Sequence, residues 1–169
     1  MINLLPPRPP SSPAHSDRKS VLIIDGNRED REYFADRLAP EYFTFLADSG
    51  KTGLDCFYTH HIDCVVLELD LPNMSGFEIL IELVPIARRP TVPVVVLTTL
   101  SNFMLSELVE KNGAQVCLHK AITSGDVLSK AVFRAIEAVP RTGKEQREVF
   151  DFPRRETTGR KMDQPPTGQ

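Results

Sequence analysis

The chain has 169 residues, enough for one ordinary globular domain with tails and too few for two conventional domains. A hydrophobic fraction of 41%, a charged fraction of 25% and a net charge of -3 are those of a globular chain with no electrostatic footprint for nucleic acid or an anionic membrane. No apolar run approaches the roughly twenty residues of a membrane helix, and Met1 to Pro13 lacks the continuous apolar segment of a secretory signal, so a cytoplasmic protein is expected.

Residues 1–19 open with five prolines in the first thirteen positions, a composition that buries too little surface to offset ordering entropy and predicts a disordered tail. Val21-Leu22-Ile23-Ile24 is then a continuous β-branched and aliphatic run, the pattern of a strand covered on both faces. Asn27 caps a helix over Arg28 to Leu38, with Phe34 and Leu38 on one face and Pro40 beyond it. Tyr42-Phe43-Thr44-Phe45-Leu46 is less apolar and predicts an edge strand. Ser49 caps the next helix, whose Leu54, Phe57 and Tyr58 share a face. His60 and His61 follow as loop residues, because adjacent side chains diverge and make a poor metal pair.

Cys64-Val65-Val66-Leu67 is the third strand, and Ser75 starts a helix with Phe77, Leu80, Ile81 and Val84 inward and Pro85 after it. Val94-Val95-Val96-Leu97 is the fourth strand, followed by a helix over Ser101 to Asn112 that stops at Gly113. Val116-Cys117-Leu118 is the fifth, and the last helix starts near Ser124 with Val127, Leu128, Ala131, Val132, Ala135, Ile136 and Val139 at helical spacing. Cys56, Cys64 and Cys117 form no Cys-x-x-Cys pair, and Cys64 and Cys117 are expected as buried thiols acting as small hydrophobes. Residues 140–169 predict a second disordered, charged tail; its one apolar cluster, Val149-Phe150-Asp151-Phe152, is read as part of that tail rather than as a docked segment.

Five alternations of strand and helix over residues 20–139 build, by right-handed crossovers, an open parallel sheet with helices on both faces. Ligands in such α/β sheets bind at the carboxyl ends of the strands, near the point where strand order reverses. That rule selects Asp25 and Gly26, Glu68, Thr98 and Thr99, and Lys120. Loop ends are polar in any case, so spacing alone leaves open whether these residues form a site.

Four segments then add a family resemblance. Val21 to Asn27, Val66 to Glu78 with its Leu-Pro-x-Met-Ser-Gly-Phe-Glu run, Pro93 to Thr99, and Gly113 to Lys120 resemble in order and spacing the receiver domain of two-component response regulators. The resemblance spans about Ser20 to Val139. It implies a flavodoxin-like, doubly wound, five-stranded parallel sheet of order 2-1-3-4-5, and a signalling module rather than an enzyme.

The resemblance implies a site as well. In that family an acid pair ends the first strand, an aspartate ending the third accepts phosphate from a kinase histidine, a hydroxyl and a lysine complete the site, and magnesium offsets the negative charge. Counting back four residues from the loop proline Pro72 puts the phosphoacceptor position at Glu68. Asp25 matches the first acid of the pair, Gly26 replaces the second, Thr98 matches the hydroxyl and Lys120 the lysine. Asp70 stands where the family offers a backbone carbonyl to the metal, Ala121 replaces a proline, and Cys117 takes the position of the mobile aromatic switch.

A glutamate carboxylate reaches about 1.5 Å farther than an aspartate's, an error that disfavours in-line transfer. Without a carboxylate at Gly26, magnesium binding by Asp25 and Glu68, with Asp70 as the remaining candidate, is weakened. No other cofactor is expected. A charge-assisted bond from Lys120 to Glu68 would hold the domain in one state.

The expectation is therefore a stand-alone atypical receiver, independent of phosphorylation, working as a protein-interaction module with a histidine kinase or another signalling protein. The family's interaction surface, the fourth helix, fifth strand and fifth helix, is also the expected face of a homodimer; Phe103, Met104 and Leu105 make it apolar. The alternative is a working phosphoacceptor that uses Glu68 or Asp70 with magnesium. A flavin protein is excluded by the acids of Asp25 to Asp30, which occupy the loop that would bind a flavin phosphate. Direct DNA binding lacks a helix-turn-helix, and the tail cations Arg154, Arg155, Arg160 and Lys161 are interspersed with acids.

Overall fold

A computed structural model of the chain describes residues 18–72 and 74–139. Its elements run β1 (Ser20–Ile24), α1 (Arg28–Leu38), β2 (Phe43–Ala47), α2 (Gly50–Thr59), β3 (Cys64–Leu67), α3 (Gly76–Leu83), β4 (Val94–Thr98), α4 (Phe103–Lys111), β5 (Val116–His119) and α5 (Gly125–Ala138), with a 3-10 turn at Lys120–Ile122 before α5. All strand pairs are parallel and the sheet order is β2-β1-β3-β4-β5, as expected.

The central strands β1, β3 and β4 are buried over nearly their whole length because their apolar runs leave no polar side chain to point outward. Alternate residues feed two cores. Leu22, Ile24, Val65, Leu67, Val94 and Val96 pack under Leu54 of α2, Ile79, Leu80 and Leu83 of α3, and Val109 of α4. Val21, Ile23, Cys64, Val66, Val95 and Leu97 pack under Phe34 and Leu38 of α1 and Leu128, Val132 and Ala135 of α5. Each fully buried aliphatic side chain contributes roughly 1.5–3 kcal/mol.

Helix starts follow their caps. Asn27 accepts from the Glu29 and Asp30 N–H groups, and Ser49 and Ser75 form capping boxes with Thr52 and Glu78. Ser124 caps α5. Helix α4 is capped by Asn102 and starts at Phe103, two residues after the expected start at Ser101. It ends at Gly113, whose φ of 103° is the left-handed value that stops a helix.

Several side chains face differently from their expected directions. In α2, Tyr58 points outward, 52% exposed, with its hydroxyl on Glu82. In α3 the inward stripe is Gly76, Ile79, Leu80 and Leu83, leaving Ile81 48% exposed and Phe77 only partly covered; Val84 is buried as the C-cap. Val127 of α5 is exposed and Ala131 and Ile136 are partly buried, because α5 leans over β3 and β4 rather than over β5. For the same reason Val116 and Leu118 of the edge strand β5 are only half-buried; Cys117, on the opposite face of that edge strand, is half-buried rather than buried, while Cys64, on a central strand, is buried as expected.

The domain also begins earlier than residue 20. Arg18 Nη2 donates to the Ala39 and Tyr42 carbonyls, and the Phe43 N–H donates to the Lys19 carbonyl at 2.9 Å, so residues 18 and 19 belong to the fold rather than to the tail. The rest of the expected tails, 1–17 and 140–169, lies outside the described residues, as does the side chain of Phe103. Among the described residues no helix is long and apolar enough to cross a membrane.

Candidate functional site

Strand order reverses between β1 and β3, and the crevice opens where the chain leaves these two strands. The Glu68 N–H donates to the Ile24 carbonyl at 2.9 Å, which sets Asp25 and Glu68 side by side. Thr98 ends β4 beside them, and the 3-10 turn after β5 turns Lys120 inward. Asp25, Glu68 and Thr98 are 3%, 3% and 1% exposed.

The Glu68 carboxylate is surrounded by donors. Its Oε1 accepts from the Leu69 N–H at 2.7 Å, the Asp70 N–H at 3.1 Å and the Thr98 hydroxyl at 2.5 Å. Its Oε2 accepts from the Thr99 N–H at 3.1 Å and from the Lys120 ammonium at 2.9 Å. Three of the five are main-chain groups that cannot turn away, so together they form a preorganised cradle for an anion. Thr98 is itself oriented, since its Oγ1 accepts from the Leu100 N–H at 3.2 Å.

Lys120 is the counter-charge for the whole rim. Its Nζ lies 2.6 Å from Asp25 Oδ2, 2.9 Å from Glu68 Oε2 and 3.0 Å from Asp30 Oδ2. Burial works against the ammonium, but its bonds to Asp25, Glu68 and Asp30 outweigh it and hold Lys120 above the usual lysine range. Asp25 shows the opposite balance: burial pushes its carboxyl above the usual range despite Lys120 and the Asn27 N–H, which donates to Oδ1 at 2.9 Å.

Four of the sequence-selected side chains, Asp25, Glu68, Thr98 and Lys120, therefore converge. Lys120 pairs with Glu68 and is shared among three carboxylates in all. The third, Asp30, was missed; it sits in the first turn of α1, where its position reads as a helix-dipole acid. Asp70 has an exposed side chain and contributes its main-chain N–H rather than a carboxylate. Cys117 packs against the α2–α4 core, where burial raises its thiol pKa; a thiol at that position gives no ring to swing.

Gly26 and Gly76 are close-approach positions. A Cβ on Gly26 would lie 2.8 Å from Pro72 Cδ. One on Gly76 would run into the Glu68 carbonyl and Leu69 Cα, so glycine there lets α3 press on the turn that carries the cradle.

Magnesium does not fit these residues. The carboxylates of Asp25 and Glu68 are bridged by the Lys120 ammonium, and Gly26 adds no oxygen where Pro72 closes the space. Among the described residues no group of three or more His, Cys, Asp or Glu side chains is arranged to hold a metal ion.

Comparisons with known proteins agree on the family. The profile described as Response regulator receiver domain matches residues 21–132. The polar-differentiation response regulator DivK of Brucella ovis is 28% identical over 106 residues, 62% of this chain and 86% of that protein. A receiver domain from Clostridium thermocellum superposes with a TM-score of 0.64 at 27% identity, covering 71% of this chain and 95% of the other. The chemotaxis response regulator CheY4 of Vibrio cholerae shares the fold, with a TM-score of 0.62 at 22% identity over 70% of this chain and 98% of that one.

Proposed function

Since the chain belongs to the response regulator receiver domain family, we propose that it is a receiver of two-component signalling whose phosphoryl place is permanently filled by its own Glu68 carboxylate. One observation carries this reading: both Glu68 oxygens are saturated by Thr98, Lys120 and three main-chain N–H groups. In the family the hydroxyl and the lysine are the groups that meet the phosphoryl oxygens. Here they meet a carboxylate that needs no kinase to put it in place.

The same saturation argues against the alternative of a working phosphoacceptor. An attacking oxygen needs a free lone pair in line with the donor's phosphorus, and both Glu68 oxygens already point into donors. The missing acid at Gly26 removes a ligand for the magnesium ion that in the family offsets the charge of an incoming phosphoryl group. The domain then acts as a docking module in one fixed state, read by a kinase or another signalling protein through its surface.

Intact-mass spectrometry after incubation with magnesium and a small acyl-phosphate donor tests this. Wild type stays unmodified, while the Gly26→Asp/Glu68→Asp double variant gains one phosphoryl group. Because a side chain at 26 meets Pro72, Glu68→Asp alone is measured beside it. A phosphoryl group on the wild-type chain overturns the proposal and makes the protein a phosphorelay element.

A further inference from the structure

We propose that Val149-Phe150-Asp151-Phe152, from the chain beyond α5, docks in the groove between β5 and α5 of the same molecule. The groove encloses about 470 Å³, with Val116 and Leu118 of β5 on one wall and Val127, Ala131 and Ala135 of α5 on the other. It exists because α5 leans over β3 and β4 and leaves this side of β5 without a roof, and because three of the six α5 residues facing it are alanines.

The charge of the groove selects its occupant. Lys130 and Arg134 border it and no acid does. Among the described residues neither cation is within ion-pair distance of a carboxylate. The complementary sequence is an acid next to aromatic rings. Residues 140–169 hold one such cluster, Glu148-Val149-Phe150-Asp151-Phe152. In an extended segment Glu148, Phe150 and Phe152 fall on one face, two rings for the apolar floor and a carboxylate for the basic rim.

The tether reaches. Ala138, the last residue of α5, itself lines the groove, so the chain leaves at its lower end. The ten residues from Pro140 to Val149 span up to about 33 Å, against about 18 Å for the helical stretch from Val127 to Ala138. Pro140 and Gly143 suit the reversal this needs. Tethering of this length gives an effective concentration near the millimolar range, so a weak contact is populated.

Docking is through side chains rather than as a sixth strand. Helix α5 lies on the α1 face, where a crossover from β5 to a new outer parallel strand would be left-handed, a connection that parallel sheets almost never use. The docked segment would shield the half-exposed β5–α5 surface from partners.

Methyl NMR on the full chain tests this, comparing wild type with Phe150→Ser/Phe152→Ser. The proposal expects ring-current shifts at the methyls of Val116, Leu118 and Val127 that disappear in the variant, while Leu22 and Val65 stay put as the control for folding. Lys130→Glu/Arg134→Glu is expected to weaken the same shifts, and tethering makes them hold on dilution from about 1 mM to about 10 µM. Groove methyls that coincide in wild type and variant overturn it. So do shifts that fade on dilution, which would assign the groove to the segment of a second copy.

Discussion

Strand β3 is flanked by a buried acid at each end, Asp63 at 5% exposure before it and Glu68 at 3% after it. Burial is therefore the same, yet the surroundings differ. Asp63 accepts the Ser20 N–H at 2.7 Å, and its other oxygen lies 3.5 Å from Lys19 and 3.9 Å from His61, side chains that are 56% and 67% exposed and open to water. Glu68 accepts from five groups brought from the turn after β3, the end of β4 and the turn after β5, with a lysine that is 7% exposed. A buried acid is thus not a site by virtue of burial. The distinguishing feature is convergence of fixed donors from separate elements onto one point.

The sharpest way to test that difference is to remove the charge at each end without changing shape. Every partner of Glu68 donates, so Glu68→Gln aims an amide N–H group at other donors. It is expected to cost about 3 kcal/mol, read as a lower urea midpoint at unchanged slope. Thr98→Val removes one donor and leaves the rest of the cradle, so about 2 kcal/mol is expected, the size of a hydrogen bond to a charged group. Asp63→Asn keeps a carbonyl for Ser20, and the exposed side chains of Lys19 and His61 can turn to water instead, so about 1 kcal/mol is expected. Equal costs for Glu68→Gln and Asp63→Asn would erase the distinction between the two ends.

The sequence showed the carboxyl end more clearly than the faces of the helices, and for a physical reason. Continuous runs such as Val94 to Leu97 admit one reading, a strand covered on both sides, so the central sheet and its order were legible. Helix α3 carries two overlapping apolar stripes. The one through Ile79 and Leu83 turns inward because Gly76 packs on the Glu68 turn, and periodicity cannot see that contact. At the site, the side chains Asp25, Glu68, Thr98 and Lys120 were legible from the strand ends. The N–H groups of Leu69, Asp70 and Thr99 were not, since every residue but proline carries one. Asp30 was hidden by its place in a helix, five residues after Asp25 and reached only through Lys120.

The smallest expected effect concerns Asp25, where opposing forces nearly balance. Burial disfavours its charge, while Lys120 at 2.6 Å and the Asn27 N–H favour it; burial prevails and the carboxyl titrates above its usual range. A carboxyl raised in the folded state contributes stability that is fully present below its unfolded pKa and lost as pH rises through the folded value. Wild type should therefore lose stability relative to Asp25→Asn as pH rises through and above the ordinary aspartate range, whatever constant cost the amide itself carries. Urea titrations of both proteins across that range measure the change, and protonation of other acids, common to both, largely cancels in the difference. A gap that moves the other way would mean that the lysine outweighs burial at Asp25, and that the rim is held together by attraction at both of its buried acids rather than anchored at Glu68.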